Sequence, residues 1–420
     1  MNDRSFMRHL IIGSGPAGVI AAETLRKAEP AAEITLLCGE AGPPYARMAI
    51  PYLLKGEIDE VGTHIRKGAD HYASLRIQLV QARAQAVNTI ARTVDLGEGR
   101  SLPYDRLLIA TGSRPSLEQI PGIGLPGVHS CWTLEDARTI LAKARPGTRI
   151  VQMGAGFVGC IIMEGLLSRG VDLTILVRSG YMVRRMMNAT ASGLIQHWCE
   201  AKGVKILTHT QPNGLSSKGG VLQVDLGDGR VLPADMYLSA VGVDPNLEFL
   251  AGSGIELGQG ILVDVQLQSS VPGVYAAGDV AEATDCLTGK RQLNAIQPNA
   301  VEQGRIAALN MAGHGVRFKG SFVFNVLTTL GLASSSFGEW QGVPGGESCE
   351  VLDASRYRYM NLQFDGDRLV GANSVGFNDH IGALRGLIEG QVRLGPWKHR
   401  LLEDPTRIMQ AYLAAAHSVA

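Results

Sequence analysis

Neither sign of charge prevails in this sequence: Lys plus Arg and Asp plus Glu each number 39 among 420 residues. A zero formal charge leaves no basic stripe to neutralise phosphates, so nucleic acid is excluded as an expected partner. Cysteine is scarce and scattered. The six lie at positions 38, 131, 160, 199, 286 and 349, and with no CxxC among them neither a zinc pair nor a redox dithiol is written locally. Thiols spaced this way read as buried or idle, which suits a reducing cytoplasm. No run of about 18 apolar residues occurs, which argues against a membrane span. The N-terminal HLIIGSGPAGVIAA has the length of a signal-peptide core, but its continuation AETLRKAE reads as an ordinary helix. A soluble, cytoplasmic protein is expected. His64 and His71, in GTHIRKGADHY, read as helix-surface residues, and no metal site is visible.

Glycine, by contrast, is abundant: 52 residues, spread among apolar runs as turn punctuation instead of forming a low-complexity tract. The length suggests two or three domains. A repeat organises them. Residues 9–40, HLIIGSGPAGVIAAETLRKAEPAAEITLLCGE, read as buried strand, glycine turn, helix and strand, and residues 149–180, RIVQMGAGFVGCIIMEGLLSRGVDLTILVRSG, repeat that order. Each helix is opened by GxGxxG: Gly13, Gly15 and Gly18, then Gly154, Gly156 and Gly159. The first glycine allows the tight turn, the second lets a pyrophosphate approach the backbone, and the third lets helix and strand pack closely. The anion is then expected on the helix N-terminus, where unpaired N–H groups and the helix dipole favour negative charge. LLIATGSRP follows the first unit and YLSAVGVDPN the second, so two modules lie in tandem. Two such modules imply two dinucleotides with electrons passing between them.

GSGPAG, ATG at 110–112, GAGFVG and GVYAAGDVAE at 273–282 together resemble the pyridine nucleotide-disulfide oxidoreductase superfamily. Within it the sequence is similar to the FAD-dependent NAD(P)H reductases that include rubredoxin and ferredoxin reductases and the flavin domain of assimilatory nitrite reductase. The resemblance implies an α/β fold with two Rossmann-like dinucleotide-binding domains, in glutathione-reductase-like FAD/NAD(P) architecture, and a small α+β C-terminal domain. It implies an FAD domain in two parts, 1–113 and 246–315, an NAD(P)H domain at 114–245, and an interface domain at 316–420 that members use to dimerise or to shape the flavin site. Alternating stretches between 317 and 377 read as a small antiparallel sheet, and IGALRGLIEG and DPTRIMQAYLAAA as helices.

The same resemblance distributes the cofactor contacts. FAD falls to Gly13, Gly15, Pro16, Ala17, Gly18, Ala84, Ala110, Thr111, Gly112, Gly278, Asp279 and Gln297, with Glu302 a weaker candidate. Asp279 is the family's ribityl-binding aspartate. Glu40, near the end of the second strand, places a carboxylate where adenosine ribose hydroxyls can donate to it. The nicotinamide cofactor falls to Gly154, Gly156, Phe157, Val158, Gly159 and Gly242. In PPYARMAIPYLL, 43–54, Met48 stands where single-cysteine members carry the reactive thiol, and a thioether forms neither thiolate nor disulfide. Tyr45 and Arg47 match the YxR of ferredoxin reductases, but Tyr52 replaces their flavin-side lysine. Arg47 is left as the cation near the isoalloxazine or the pyrophosphate. Arg178 in LTILVRSGYMVRR occupies the position at which NAD-preferring members carry an acid, and a guanidinium there suits a 2′-phosphate; a solvent-facing arginine is the alternative. The expectation is therefore a hydride-transferring enzyme that prefers NADPH to NADH and passes electrons to an external acceptor, a small iron-sulfur protein or partner subunit being favoured. A non-catalytic or docking flavoprotein subunit of a larger redox complex is the other reading.

Overall fold

The run RHLII becomes β1 (Arg8–Ile12) because its apolar residues are buried on both faces, as a parallel sheet requires. The structure is a computed structural model and describes residues 6–377 and 379–417. The chain turns at Gly13 into α1 (Pro16–Ala28), where Pro16 suits the first helical position, then continues through β2 (Glu33–Cys38), β3 (Ile77–Gln81) and β4 (Arg106–Ile109). It then enters a second, similar unit. There β5 (Val128–His129), β6 (Arg149–Met153), α2 (Phe157–Leu167), β7 (Asp172–Val177), α3 (Ala189–Ala201), β8 (Lys205–Thr208) and β9 (Met236–Ser239) form a parallel sheet in the order β8-β7-β6-β9-β5. On its return it adds β10 (Val274–Ala276), which completes the first sheet as β10-β4-β1-β2-β3, and α4 (Gln297–Met311). Helix α4 lies on α1 so closely that a Cβ at Gly304 would stand 2.3 Å from the Ala17 carbonyl oxygen.

The last part is antiparallel. Strands β11 (Phe324–Thr329), β12 (Leu332–Gly338), β13 (Glu347–Asp353), β14 (Arg358–Asp365) and β15 (Arg368–Val375) order as β11-β12-β15-β14-β13. They are followed by α5 (Ile381–Glu389), α6 (Pro396–Glu403) and α7 (Ile408–His417). Helix α6, PWKHRLLE, is an addition to what the sequence suggests; it buries only Leu401 and so shows little apolar period. By contact the chain forms two compact units, one from its start through Arg114 with Val243–Ser321, the other Pro115–Gly242 with the chain from Phe322 onward. Both dinucleotide-binding sheets are of the doubly wound α/β kind, with the small α+β part at the C-terminus. Among the described residues no helix is long and apolar enough to cross a membrane.

Candidate dinucleotide sites

In the first unit the three glycines divide their work. Gly13 has φ +110°, and a Cβ there would meet the Ala110 carbonyl oxygen at 2.2 Å; one on Gly18 would meet the Gly13 oxygen at 1.9 Å. Both positions exclude any side chain. At Gly15, the N-cap of α1, nothing lies within 4 Å of the missing Cβ, and no side chain caps the helix. The middle glycine therefore leaves open space in front of free helical N–H groups, a cradle of the shape and polarity that a pyrophosphate needs. The second unit repeats the arrangement: Gly154 has φ +103° with the Ala240 oxygen 2.3 Å from its hypothetical Cβ, Gly159 meets the Gly154 oxygen at 2.4 Å, and Gly156 faces open space.

At the carboxyl edge of the first sheet a polar chain links four segments. The Tyr45 hydroxyl donates to Glu40 Oε2 at 2.5 Å, and Arg47 donates through Nη2 to Glu40 Oε1 at 2.6 Å and through Nη1 to the Ser113 carbonyl at 2.9 Å. The Ser113 hydroxyl donates to Asp279 Oδ2 at 2.8 Å. Loss of water pushes the Asp279 carboxyl above the usual carboxylate range, against the opposing pull of the Ser113 hydroxyl and the Arg47 charge. Glu40, Arg47 and Asp279 are thus tied into one network beside Ala110, Thr111 and Gly112. Asn246 fixes that last turn, donating from Nδ2 to the Thr111 carbonyl at 2.9 Å and from its backbone N–H to the Gly112 carbonyl at 3.0 Å. Gly278 N–H donates to Gln303 Oε1 at 2.8 Å, and Ala17 is buried in the first turn of α1. Gln297 is exposed in the first turn of α4 and Ala84 is half-buried beyond β3. Neither has a hydrogen bond to this network among the described residues. Glu302 pairs instead with Arg305 along α4 at 2.7 Å. Ser113 and Gln303 were not singled out by the sequence; the serine directly after ATG was the available signal.

In the second unit Phe157 and Val158 are half-buried in the first turn of α2, and Gly242 accepts the Ser116 N–H at 2.9 Å. Arg178 directly follows β7. It is exposed, as are Arg184 and Arg185, and none of the three has an ion pair or hydrogen bond among the described residues. Glu118, a residue the sequence did not flag, accepts from the Tyr237 hydroxyl at 2.7 Å and the Ser239 hydroxyl at 2.5 Å at the end of β9.

Burial disfavours the thiolate at Cys38, Cys131, Cys160, Cys199 and Cys349. None of the six cysteines forms a disulfide, and burial pushes Cys131 and Cys199 up to about 12 and Cys160 higher still. Met48 is 46% exposed. His71 pairs with Glu23 at 2.8 Å beside Arg66, a structural cluster, and among the described residues no group of His, Cys, Asp and Glu is placed to hold a metal.

The family model for pyridine nucleotide-disulphide oxidoreductases matches residues 7–304. The epsilon subunit of NADH-dependent phenylglyoxylate dehydrogenase from Aromatoleum evansii is 31% identical over 96% of both chains. The ferredoxin–NAD(+) reductase subunit of the benzene 1,2-dioxygenase system of Pseudomonas putida is 30% identical over 73% of this chain and 74% of its own. A chain of the crystal structure of the covalent putidaredoxin reductase–putidaredoxin complex matches with a TM-score of 0.90 at 24% identity, covering 98% of this chain and 99% of that one, a likeness of fold. This chain accordingly belongs to the pyridine nucleotide-disulphide oxidoreductase family and is an oxidoreductase.

Proposed function

We propose that the first unit holds FAD, that the nucleotide module of the second holds NADPH, and that the chain carries electrons from the nicotinamide to a protein redox partner. The observation that carries this reading is the pair of open glycine turns with opposite charges at the ends of the second strands: Glu40 after β2 and Arg178 after β7. A carboxylate accepts from ribose hydroxyls and repels a phosphate, whereas an unpaired guanidinium binds one. In this assignment residues 1–113 and 246–315 serve FAD, 114–245 the nicotinamide cofactor, and 316–420 the interface.

FAD, when bound, supplies the hydride-accepting ring and an outlet for electrons. The residues of the chain do the rest. Gly15 and Gly156 leave room for the two pyrophosphates at helix N-termini. Glu40 binds the adenosine ribose while held by Tyr45 and Arg47. Arg47 is fixed in advance by Glu40 and the Ser113 carbonyl, so its charge stands near the pyrophosphate without an ordering cost on binding. Asp279, oriented by Ser113, accepts from the ribityl hydroxyls. Hydride transfer asks for orientation and exclusion of water more than for an acid or base.

A protein acceptor is supported by the names of the relatives: one is a reductase for ferredoxin, the other a subunit of a dehydrogenase and colinear with this chain over 96% of both. The latter name also contains NADH, which favours NADH as a second reading against Arg178. Anaerobic addition of each nicotinamide decides between them. The visible flavin band should bleach faster with NADPH, and the reduced protein should pass electrons to a [2Fe–2S] ferredoxin. Failure of both nicotinamides to bleach it would leave only the docking-subunit reading.

A further inference from the structure

The segment that joins β7 to α3 carries the three exposed arginines 178, 184 and 185, and its backbone is held from an unexpected direction. Val183 is buried with φ +46°, a left-handed conformation that a β-branched residue rarely adopts. Its N–H donates to the Ala155 carbonyl at 2.8 Å, inside the glycine turn of the nucleotide module, and its carbonyl accepts the Met186 N–H at 2.8 Å. Such a residue persists only where its surroundings over-determine it.

The surroundings are on β15. Asn373, fully buried in the antiparallel sheet, donates from Nδ2 to the Met186 carbonyl at 3.1 Å and accepts the Asn188 N–H on Oδ1 at 2.8 Å. Asn188 in turn caps α3 by accepting the Ala191 N–H at 3.0 Å and donates from Nδ2 to the Tyr359 hydroxyl at 2.7 Å. That hydroxyl donates to Glu350 at 2.7 Å. A continuous polar route therefore runs from β13 through Tyr359, Asn188 and the 183–188 backbone to Ala155. A buried amide costs stability unless it is bonded, and here, beside a 3.3 Å contact from Nδ2 to the Ala372 carbonyl in its own strand, two of its bonds leave the sheet to hold a loop.

We infer that Asn373 is a positioning residue for nicotinamide-cofactor binding. Together with Asn188 it fixes the loop backbone, and with it the turn at Ala155–Gly156, in one geometry before the cofactor arrives, so that binding orders fewer groups. The inference rests on the reading that this module holds the nicotinamide cofactor, and it assigns to the C-terminal sheet a part in affinity.

Calorimetric titration of the flavin-loaded protein with 2′,5′-ADP and with 5′-AMP tests it, read beside amide exchange of residues 183–188. Asn373→Leu should weaken both ligands by a similar factor, roughly three- to tenfold for two lost hydrogen bonds, and accelerate exchange at Met186 and Asn188. Flavin content should not change. Tyr359→Phe, a milder change, should move both ligands the same way by a smaller factor, and it stands in if the leucine variant does not fold. Faster exchange with unchanged affinity in either variant overturns the inference and leaves Asn373 a purely structural group. Wild-type protein that binds neither probe overturns the cofactor reading itself, a separate result.

Discussion

The two nucleotide modules are nearly the same object where they fold and different objects where they would meet a ligand. Arg8 and Arg149 open the first strands, and each makes the same three bonds to the aspartate that precedes its sheet neighbour. Arg8 donates from N, Nε and Nη2 to Asp105 at 2.8, 3.1 and 2.9 Å, and Arg149 does so to Asp235 at 2.9, 3.1 and 2.6 Å. The glycine turns match to within a few tenths of an ångström at Gly13 and Gly154. Beyond the second strands the likeness ends. Glu40 is enclosed by Tyr45 and Arg47, whereas Arg178 stands free on a loop bolted to another sheet. The two modules share the contacts that hold the backbone and differ at the residues proposed to meet the ligands.

Breaking the shared part should cost most. Gly13→Ala and Gly154→Ala each force a left-handed alanine into a carbonyl oxygen, and each should lose about 3 kcal/mol or more, seen as a collapse of the melting temperature or failure to fold. Gly15→Ala and Gly156→Ala meet nothing within 4 Å, so they should melt as wild type while losing flavin and nicotinamide affinity respectively. Equal instability at all four positions would show that the middle glycines serve the fold.

The divergent part should show next. Arg178→Glu should erase or invert the ratio of kcat/KM for NADPH over NADH, an effect of about ten- to a hundredfold if one charge-assisted contact is lost. A protein already faster with NADH and indifferent to the substitution would show that Arg178 does not read the cofactor.

Smaller effects are expected at the shared ion pairs. The Arg8 guanidinium holds the Asp105 carboxyl down from 3.8 to about 2, so its contribution to stability is complete above pH 3.8 and disappears as pH falls through about 2. Arg149 lowers Asp235 in the same direction. Both pairs are partly in water, where salt screens them, so Asp105→Asn and Asp235→Asn should each flatten the acid limb of the melting curve only slightly. The smallest expected effect is none: alkylation of accessible thiols should leave NAD(P)H-driven flavin reduction intact, and its abolition would single out a misjudged cysteine.

Much of this was legible from spacing. Local features such as the two GxGxxG turns, the buried strands before them and the charges after β2 and β7 lie within about thirty residues of chain and need no knowledge of the fold. What sequence could not supply is what distance in the chain hides. Tyr45, Glu40, Arg47, Ser113 and Asp279 come from four segments, and only the folded sheet brings their side chains within hydrogen-bond reach. Asn373 sits in RLVGANSV, a stretch whose alternation predicts a strand but gives no hint that a loop nearly two hundred residues earlier depends on it. Val183 reads as one more apolar residue, because strain is a property of φ and not of side-chain type.

The six deeply or partly shielded cysteines set a limit on charge storage. A flavoprotein that also carries a reactive dithiol can bank a second pair of electrons while its outlet is busy. This chain, read as a flavin carrier, has nowhere to put them. On that reading each pair of electrons taken from a nicotinamide has to leave the flavin before the next pair can enter, so the two halves of the cycle alternate strictly.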